Sequence, residues 1–264
     1  MAINNRDRQR TRVVFVPVGG GGNKIETSEL SVSENGTYEA GKDKAYSKVT
    51  VKVTEPLGTV KIADYGIKFS DSSFSQVPEW ADFEGVTDMS NMFKFCNKLQ
   101  SIPSLDTSQV TTMKWMFYYC FKLQSIPSLD TSQVTNMANM FYDCGILQTI
   151  PQLDTSKVTT MEAMFFSCDN LQTLPQLDTS QVTNMDYMFN FCANLTDLGG
   201  FVGLKANLDL SYSKGLTHNS LMNVINKSAD VTASPATLTL GSTNLAKLSD
   251  EEKGIATAKG WTLA

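Results

Sequence analysis

Five cysteines (Cys96, Cys120, Cys144, Cys168 and Cys192) recur every 24 residues, and five aspartates (Asp82, Asp106, Asp130, Asp154 and Asp178) keep the same step. These residue types hold metals, close disulfides or move protons, so their spacing limits the chemistry open to the chain. Cysteines at equivalent places on stacked strands fall near the Cα separation of a disulfide. They point the same way, however, five is an odd number, and no C-x-x-C pair or histidine partner exists for zinc. The expectation is a row of small buried hydrophobes, with no disulfide and no metal. Stacked carboxylates repel, so each aspartate needs amides, hydroxyls or a cation beside it. Turn capping is the first reading and bound calcium the second, although no established calcium-loop spacing is present.

Nucleophilic catalysis finds no support. His218 is the sole histidine of the 264 residues. The run Gly19–Gly22 lacks the lysine of a phosphate loop and reads as a linker. No catalytic residue, no cofactor and no enzymatic activity are expected.

Binding is better served. Positions that vary between otherwise matching repeats carry Phe95, Trp115, Tyr118, Tyr119, Phe121, Tyr142, Phe166, Tyr187 and Phe191. Such positions are released from core duty, and aromatic clusters there mark a contact surface for a partner or for a second subunit. A second row, Gln100, Gln124, Gln148 and Gln172, would line a polar, uncharged face able to read sugar hydroxyls or a protein, or would simply be solvated. All four arginines (Arg6, Arg8, Arg10 and Arg12) lie in the first twelve residues, suited to docking on acidic partners, with 13–18 available to extend a partner's sheet. Residues 13–264 hold 18 lysines against 26 acids, which argues against a nucleic-acid groove. No apolar stretch approaches the ~20 residues that span a bilayer, so no membrane insertion is expected. The apolar run 13–18 is too short and too interrupted for an export signal, and none is expected.

The elements that must position these residues follow from the period. Leu-Asp-Thr-Ser begins at 105, 129, 153 and 177, and the units 81–104, 105–128, 129–152, 153–176 and 177–200 share L-D-T-S-Q-V-T-x-M-x-x-M-F-x-x-C-x-x-L-Q-x-I-P-x. Within a unit, Val110, Met113, Met116, Phe117 and Cys120 fall at three- to four-residue spacing, which predicts a short helix of two to three turns. Leu123 to Leu129 predicts an extended segment. One apolar side per unit cannot be buried alone, so stacked units must form a continuous core. The predicted fold class is therefore an α/β repeat, a solenoid of five helix-plus-strand units.

Flanking it, 1–23 reads as a basic arm with a glycine hinge and 24–56 as a small β module with a hairpin at Asn35-Gly36. Residues 57–80 read as an N-terminal cap, and 201–264 as a C-terminal α/β cap. In that last region strands are predicted at 208–210 and 237–240 and helices at 219–227 and 249–259, the second opening on a capping box.

The motif V-T-x-M-x-x-M-F-x-x-C-x-x-L followed by L-D-T-S resembles the bacterial surface-protein branch of leucine-rich repeats, the BspA-like proteins and the mycoplasma lipoprotein repeats. That resemblance covers 81–200 and implies a curved leucine-rich solenoid used in adhesion. The segment Asn35–Val53, N-G-T-Y-x-A-G-x-x-x-A-Y-x-K-V-T-V-x-V, is similar to β modules of tail and fibre proteins in phages of gut bacteria, and residues 238–252 resemble the C-termini of phage repeat proteins. What these resemblances imply is a virion protein, a homo-oligomeric fibre or appendage subunit. It would be held to virion scaffold, capsid or tail proteins through residues 1–18 and would bind a host-surface glycan or protein. The alternative is a BspA-like adhesin at the bacterial cell surface.

Overall fold

The computed structural model describes residues 85–264 in full, residues 75–77 and 83, and the backbone alone of 12–15, 28–31, 49–52, 60–61 and 81–82. Arg6, Arg8, Arg10, the glycine hinge and the Asn35-Gly36 hairpin lie outside the described residues. Strands β1 (Arg12–Phe15), β2 (Ser28–Ser31) and β3 (Val49–Lys52) form an antiparallel sheet in the order β2-β1-β3. The middle strand is thus drawn from the end of the arm, and Val13 to Phe15 are paired on both sides, with Leu30 to Ser28 and with Val51 to Val49. Strand β4 (Val60–Lys61) then pairs in parallel with β5 (Ala81–Asp82), and Gln76 bridges in parallel to Ser101, which joins the preceding chain to the stacked coils.

From there the chain is a repeat fold whose 24-residue period is a step in space. Parallel bridges run Asp88 to Thr112 to Asn136 to Thr160 to Asn184. Beside them Thr111, Thr135, Thr159 and Thr183 each donate both N–H and hydroxyl to the threonine carbonyl one coil earlier, at 2.8–2.9 Å and 3.1–3.2 Å. β6 (Leu177–Asp178) pairs in parallel with β7 (Phe201–Val202), 24 residues on.

The predicted helix in each unit is absent: the described residues hold no α-helix before His218. The segment is a succession of β-turns. Met92 N–H donates to Met89 O, Cys96 to Phe93 O and Leu99 to Cys96 O, each three residues back. Turns that close every three or four residues return the chain to the core as often as a helix does, which is why the apolar spacing of the two is alike. They differ in where the remaining amides point. Asn91, Phe93 and Phe95 donate to Lys114, Met116 and Tyr118 of the next coil at 2.7–3.0 Å, and the same three bonds recur down the stack. A helix would keep its amides to itself and would need ~8–10 Å to a neighbouring helix, roughly twice the ~4.8 Å between strands. Turns stack at nearly strand spacing, which is what lets these bonds form.

The core follows the same step. Phe93, Phe117, Phe141, Phe165, Phe189 and Phe201 stack at centroid distances of 5.5–6.0 Å, with two buried methionines per coil beside them. Burying each phenyl is worth about 1.5–3 kcal/mol. The cysteines are buried thiols rather than disulfides, and Cys120, Cys144, Cys168 and Cys192 donate their S–H to the phenylalanine carbonyl one coil earlier at 3.0–3.2 Å. They are therefore donors as well as fillers. Burial pushes these four thiols up, Cys192 to about 12.

Among the described residues, helix-plus-strand coils appear only after Val202. β8 (Leu208–Asp209), α1 (His218–Lys227), β9 (Ala236–Thr239), α2 (Gly241–Leu245), α3 (Asp250–Ala258) and β10 (Trp261–Leu263) build a parallel sheet in the order β10-β9-β8. Thr217 caps α1, and Ser249 with Glu252 forms the expected capping box of α3. Lys259 closes the end of α1 by donating to the carbonyls of Ile225, Asn226 and Ser228. Gly199, at φ +62, is required at the junction, since a Cβ there would meet Leu174 O at 2.5 Å.

Thiols that are buried and held as neutral donors react slowly. Iodoacetamide at about pH 8 is expected to leave all five cysteines unmodified in the native chain and to label all five in denaturant, read by intact-mass spectrometry. Native-state labelling would show that the coils open.

A candidate recognition surface on the turns

The turns that replace the predicted helix put two residues per coil in the left-handed region. These are Asn91 and Phe95, Trp115 and Tyr119, Asn139 and Asp143, Ala163 and Ser167, Tyr187 and Phe191, with φ between +48° and +65°. A turn with its third residue at positive φ favours glycine or asparagine. Here five of the ten places hold large aromatics, all of them among the variable positions singled out in the sequence. A side chain with a Cβ in this conformation costs roughly 1 kcal/mol, so these rings are held in place against the local preference of the chain.

The fold gathers most of the candidate aromatics into one ridge along the stack. Phe95 contacts Tyr118 and Tyr119, the two tyrosines contact Tyr142, and Tyr142 stacks on Phe166 at 4.5 Å with planes 6° apart. Phe166 meets Phe191 at 5.2 Å, and Phe121 lies edge-on to Tyr119. Lys94 stands over the rings of Phe95, Trp115 and Tyr118 at 5.0–5.2 Å, and Lys114 over Trp115 at 4.1 Å. Phe95, Phe121 and Phe191 are 39%, 41% and 48% exposed, so the ridge is a wet apolar surface rather than core. Burial, then the neighbouring Tyr119 and Tyr142, pushes the Tyr118 phenol up to about 12, and burial raises Tyr142 as well. Burial and then Asp169 raise the Asp143 carboxyl.

Tyr187 is apart from the ridge and 59% exposed, at a shallow depression of about 250 Å³ that it shares with Asp186, Asn207, Asp209 and Thr239. The glutamines are exposed, and their segment is set off from the ridge by the tight turn at Cys96–Leu99. Gln124 and Gln172 donate their backbone N–H to Gln100 and Gln148, so this row too steps by one coil.

One ridge residue escapes the reading of the sequence. Tyr212 continues the line, 5.1 Å from Phe191. It belongs to a coil whose period is broken, yet Ser213 and Leu216 repeat the bonding of Cys192 and Leu195, each donating to the carbonyl three residues back. The pattern L-x-x-S-x-x-L over 210–216 is the signal that marks it. Lys94 and Lys114 escape as well, because neither stands out until its ring neighbours are known.

The aspartate ladder is taken up by turns. Asp106, Asp130, Asp154 and Asp178 each accept the backbone N–H two residues on at 2.9–3.1 Å, and serine hydroxyls add a second bond at Asp106 and Asp154. Bonds from the following serine, its hydroxyl first, hold the carboxyls of Asp106, Asp130 and Asp154 below the usual range. Among the described residues no three His, Cys, Asp or Glu side chains converge as a metal site. His218 bonds Glu252 at 2.8 Å, beside the cap of α3. Of the arginines, only the backbone of Arg12 is described, at the start of β1.

Comparison with known proteins adds the following. The family profile described as "Mycoplasma protein of unknown function, DUF285" matches residues 65–170 and 145–201, just over half of the chain. No curated protein matches. Among solved structures, the crystal structure of the T. pallidum leucine-rich repeat protein is similar at 19% identity and a TM-score of 0.46, over 77% of this chain and 89% of that one.

Tyr187 tests the backbone argument because it is the most exposed of the left-handed aromatics and is outside the ring contacts of the ridge. Tyr187→Gly is expected to raise unfolding stability by about 1 kcal/mol, measured by urea denaturation. A loss of that size would mean that the ring holds its turn.

Proposed function

Since the chain belongs to the DUF285 family, the mycoplasma and BspA-like branch that its repeat motif resembles, we propose that it is a non-enzymatic binding protein whose recognition face is the aromatic ridge on the turns of its solenoid. One observation carries this reading: Phe95, Tyr119 and Phe191 of the ridge occupy left-handed positions where glycine or asparagine is favoured. A fold selected for stability alone would not keep them.

The finer structural reading is a leucine-rich-repeat solenoid of five 24-residue units. The non-enzymatic reading is supported by what the ionisable groups do. Aspartates bond turn amides, Glu252 bonds the cap of α3, and Lys259 bonds the end of α1.

The face favours protein over glycan. Tyr118, Tyr142 and Phe166 stack on one another, at 29° and 6° between planes, so their faces are taken and their edges are left for a partner. The polar glutamine face is the better candidate for sugar hydroxyls. In its finest form the reading is a bacteriophage fibre or appendage subunit that engages a host-surface protein or glycan. Docking to virion scaffold, capsid or tail proteins would use residues 1–18. It rests on the resemblance of Asn35–Val53 and 238–252 to phage proteins. With β1 already paired on both sides, such docking would use residues 1–11 or the outer edges of β2 and β3.

Two measurements test this. The triple variant Phe95→Gly, Tyr119→Gly, Phe191→Gly removes the rings at places where glycine is conformationally favoured. It is expected to keep its unfolding midpoint within a few degrees and to lose at least about tenfold in cosedimentation with bacterial envelope fragments, roughly 1.4 kcal/mol. Unchanged cosedimentation overturns the ridge as the recognition face. Mass spectrometry of purified virions is expected to find stoichiometric peptides from residues 1–18, whereas recovery from the bacterial surface alone selects the adhesin.

A further inference from the structure

The ridge has a polarity that the repeat does not require. In the coils of Cys96 and Cys120 its borders carry Lys94, Lys114 and Lys122; in the coils of Cys168 and Cys192 they carry Glu162, Asp169 and Asp186. All six are exposed or half-buried, and among the described residues none has an ion-pair partner within the chain. Counted from the cysteine of its own coil, Lys114 is at position −6, and so is Glu162 two coils on. Lys122 is at +2 and Asp169 at +1. Opposite charges thus share one column, at −6, and occupy neighbouring columns at +2 and +1, placed symmetrically about the coil of Cys144.

We propose that the partner of this ridge is a second copy of the chain, bound antiparallel about a two-fold axis that crosses the coil of Cys144. The proposal rests on the ridge being a recognition face and names what covers it. Two identical faces can meet about a two-fold axis in only two ways here. With the solenoids parallel, each coil faces its own copy with its columns reversed, so the lysines bordering the coil of Cys120 face lysines and the acids bordering the coil of Cys168 face acids. With the solenoids antiparallel, the coil of Cys120 faces that of Cys168 and each column faces itself. Lys114 of one copy then meets Glu162 of the other, and Lys122 comes within one column of Asp169. Each contact occurs twice by symmetry. Like charges across an interface are costly, so the parallel arrangement is rejected and the antiparallel one selected. The stacked edges of Tyr142 and its neighbours fill the centre, an apolar core with a charged rim. One group opposes the arrangement: Asp143 lies on the two-fold coil and meets its own copy.

The test is sedimentation equilibrium of the full chain over a series from about 1 µM to about 200 µM. The unchanged chain is expected to show a monomer–dimer equilibrium. Lys114→Glu sets two acids against each other and is expected to weaken the dimer at least tenfold; Glu162→Lys does the same with two lysines. In an equimolar mixture of these two variants, the acid introduced at position 114 of one copy faces the lysine introduced at position 162 of the other. The unchanged Glu162 and Lys114 face each other at the symmetric contact. The mixture is expected to regain the association that each variant alone has lost by at least about tenfold. Asp143→Asn, which suits its left-handed backbone, is expected to tighten the dimer severalfold.

A chain that stays monomeric over the series overturns the proposal, and so does a dimer indifferent to these substitutions or two variants that fail to rescue each other. The underlying reading fails separately. If the chain is monomeric but the triple glycine variant still loses envelope binding, only the second copy is wrong. If the triple variant changes neither association nor envelope binding, the ridge is not a recognition face.

Discussion

Everything in this molecule depends on amides that reach across 24 residues. A helix satisfies its backbone within itself; a coil of this solenoid closes some turn amides on itself and satisfies the rest only on a neighbouring coil, as Asn91, Phe93 and Phe95 do on Lys114, Met116 and Tyr118. A buried peptide group left without a partner costs about 1–3 kcal/mol, so a single coil has no independent stability and each coil is the template for the next. This makes the period strict. One inserted residue would shift every bond of its coil by one position and turn core side chains outward, the same penalty that a register slip carries in a sheet.

The ladders are consequences of that constraint. When equivalent residues must stand one coil apart, each side chain packs against its own kind. Phenyl rings then stack, threonine hydroxyls join the carbonyls already bonded by their own amides, and cysteine thiols reach the phenylalanine carbonyl behind them. Cysteine suits its place because it is small, apolar and still a weak donor. Serine takes the equivalent place at Ser213, where the repeat gives way to the cap. The helices of the C-terminal region belong to the same logic. A stack has to end, and α1 and α3 end it by satisfying their own amides, with Lys259 and the capping box completing the termini.

How much of this is legible follows from what the sequence encodes directly. The period, the core phases and the elements of the C-terminal cap are written in residue type: apolar spacing, the Ser249–Glu252 box and the breaks between them. The helix expected over residues such as Val110–Cys120 does not form, because three- to four-residue apolar spacing is common to a helix and to consecutive turns. Only the backbone hydrogen bonds distinguish them. Left-handed Phe95, Trp115 and Tyr187 are illegible for the opposite reason, since residue preference argues against that conformation for aromatics. The variable aromatics can be recognised as a surface by exclusion from the core. Their union into a ridge, and its extension to Tyr212, needs the register of a coil in which serine has replaced cysteine.

Variation within a strict repeat is where function has room to act, and the turn face shows how. Its core columns are nearly invariant along the stack because each residue is its neighbour's packing partner. The outward columns have no such obligation, and an unconstrained drift would scatter charge along them. Instead lysines occupy the two early coils and acids the two late ones, flanking rings held at positive φ. Neither feature is required by the repeat: the charges lack ion-pair partners within the described chain, and the rings oppose the local preference of the backbone. Two independent departures from what the fold needs, on the same face, are most simply explained by one cause outside the fold, a macromolecular surface that meets the ridge and distinguishes its two ends.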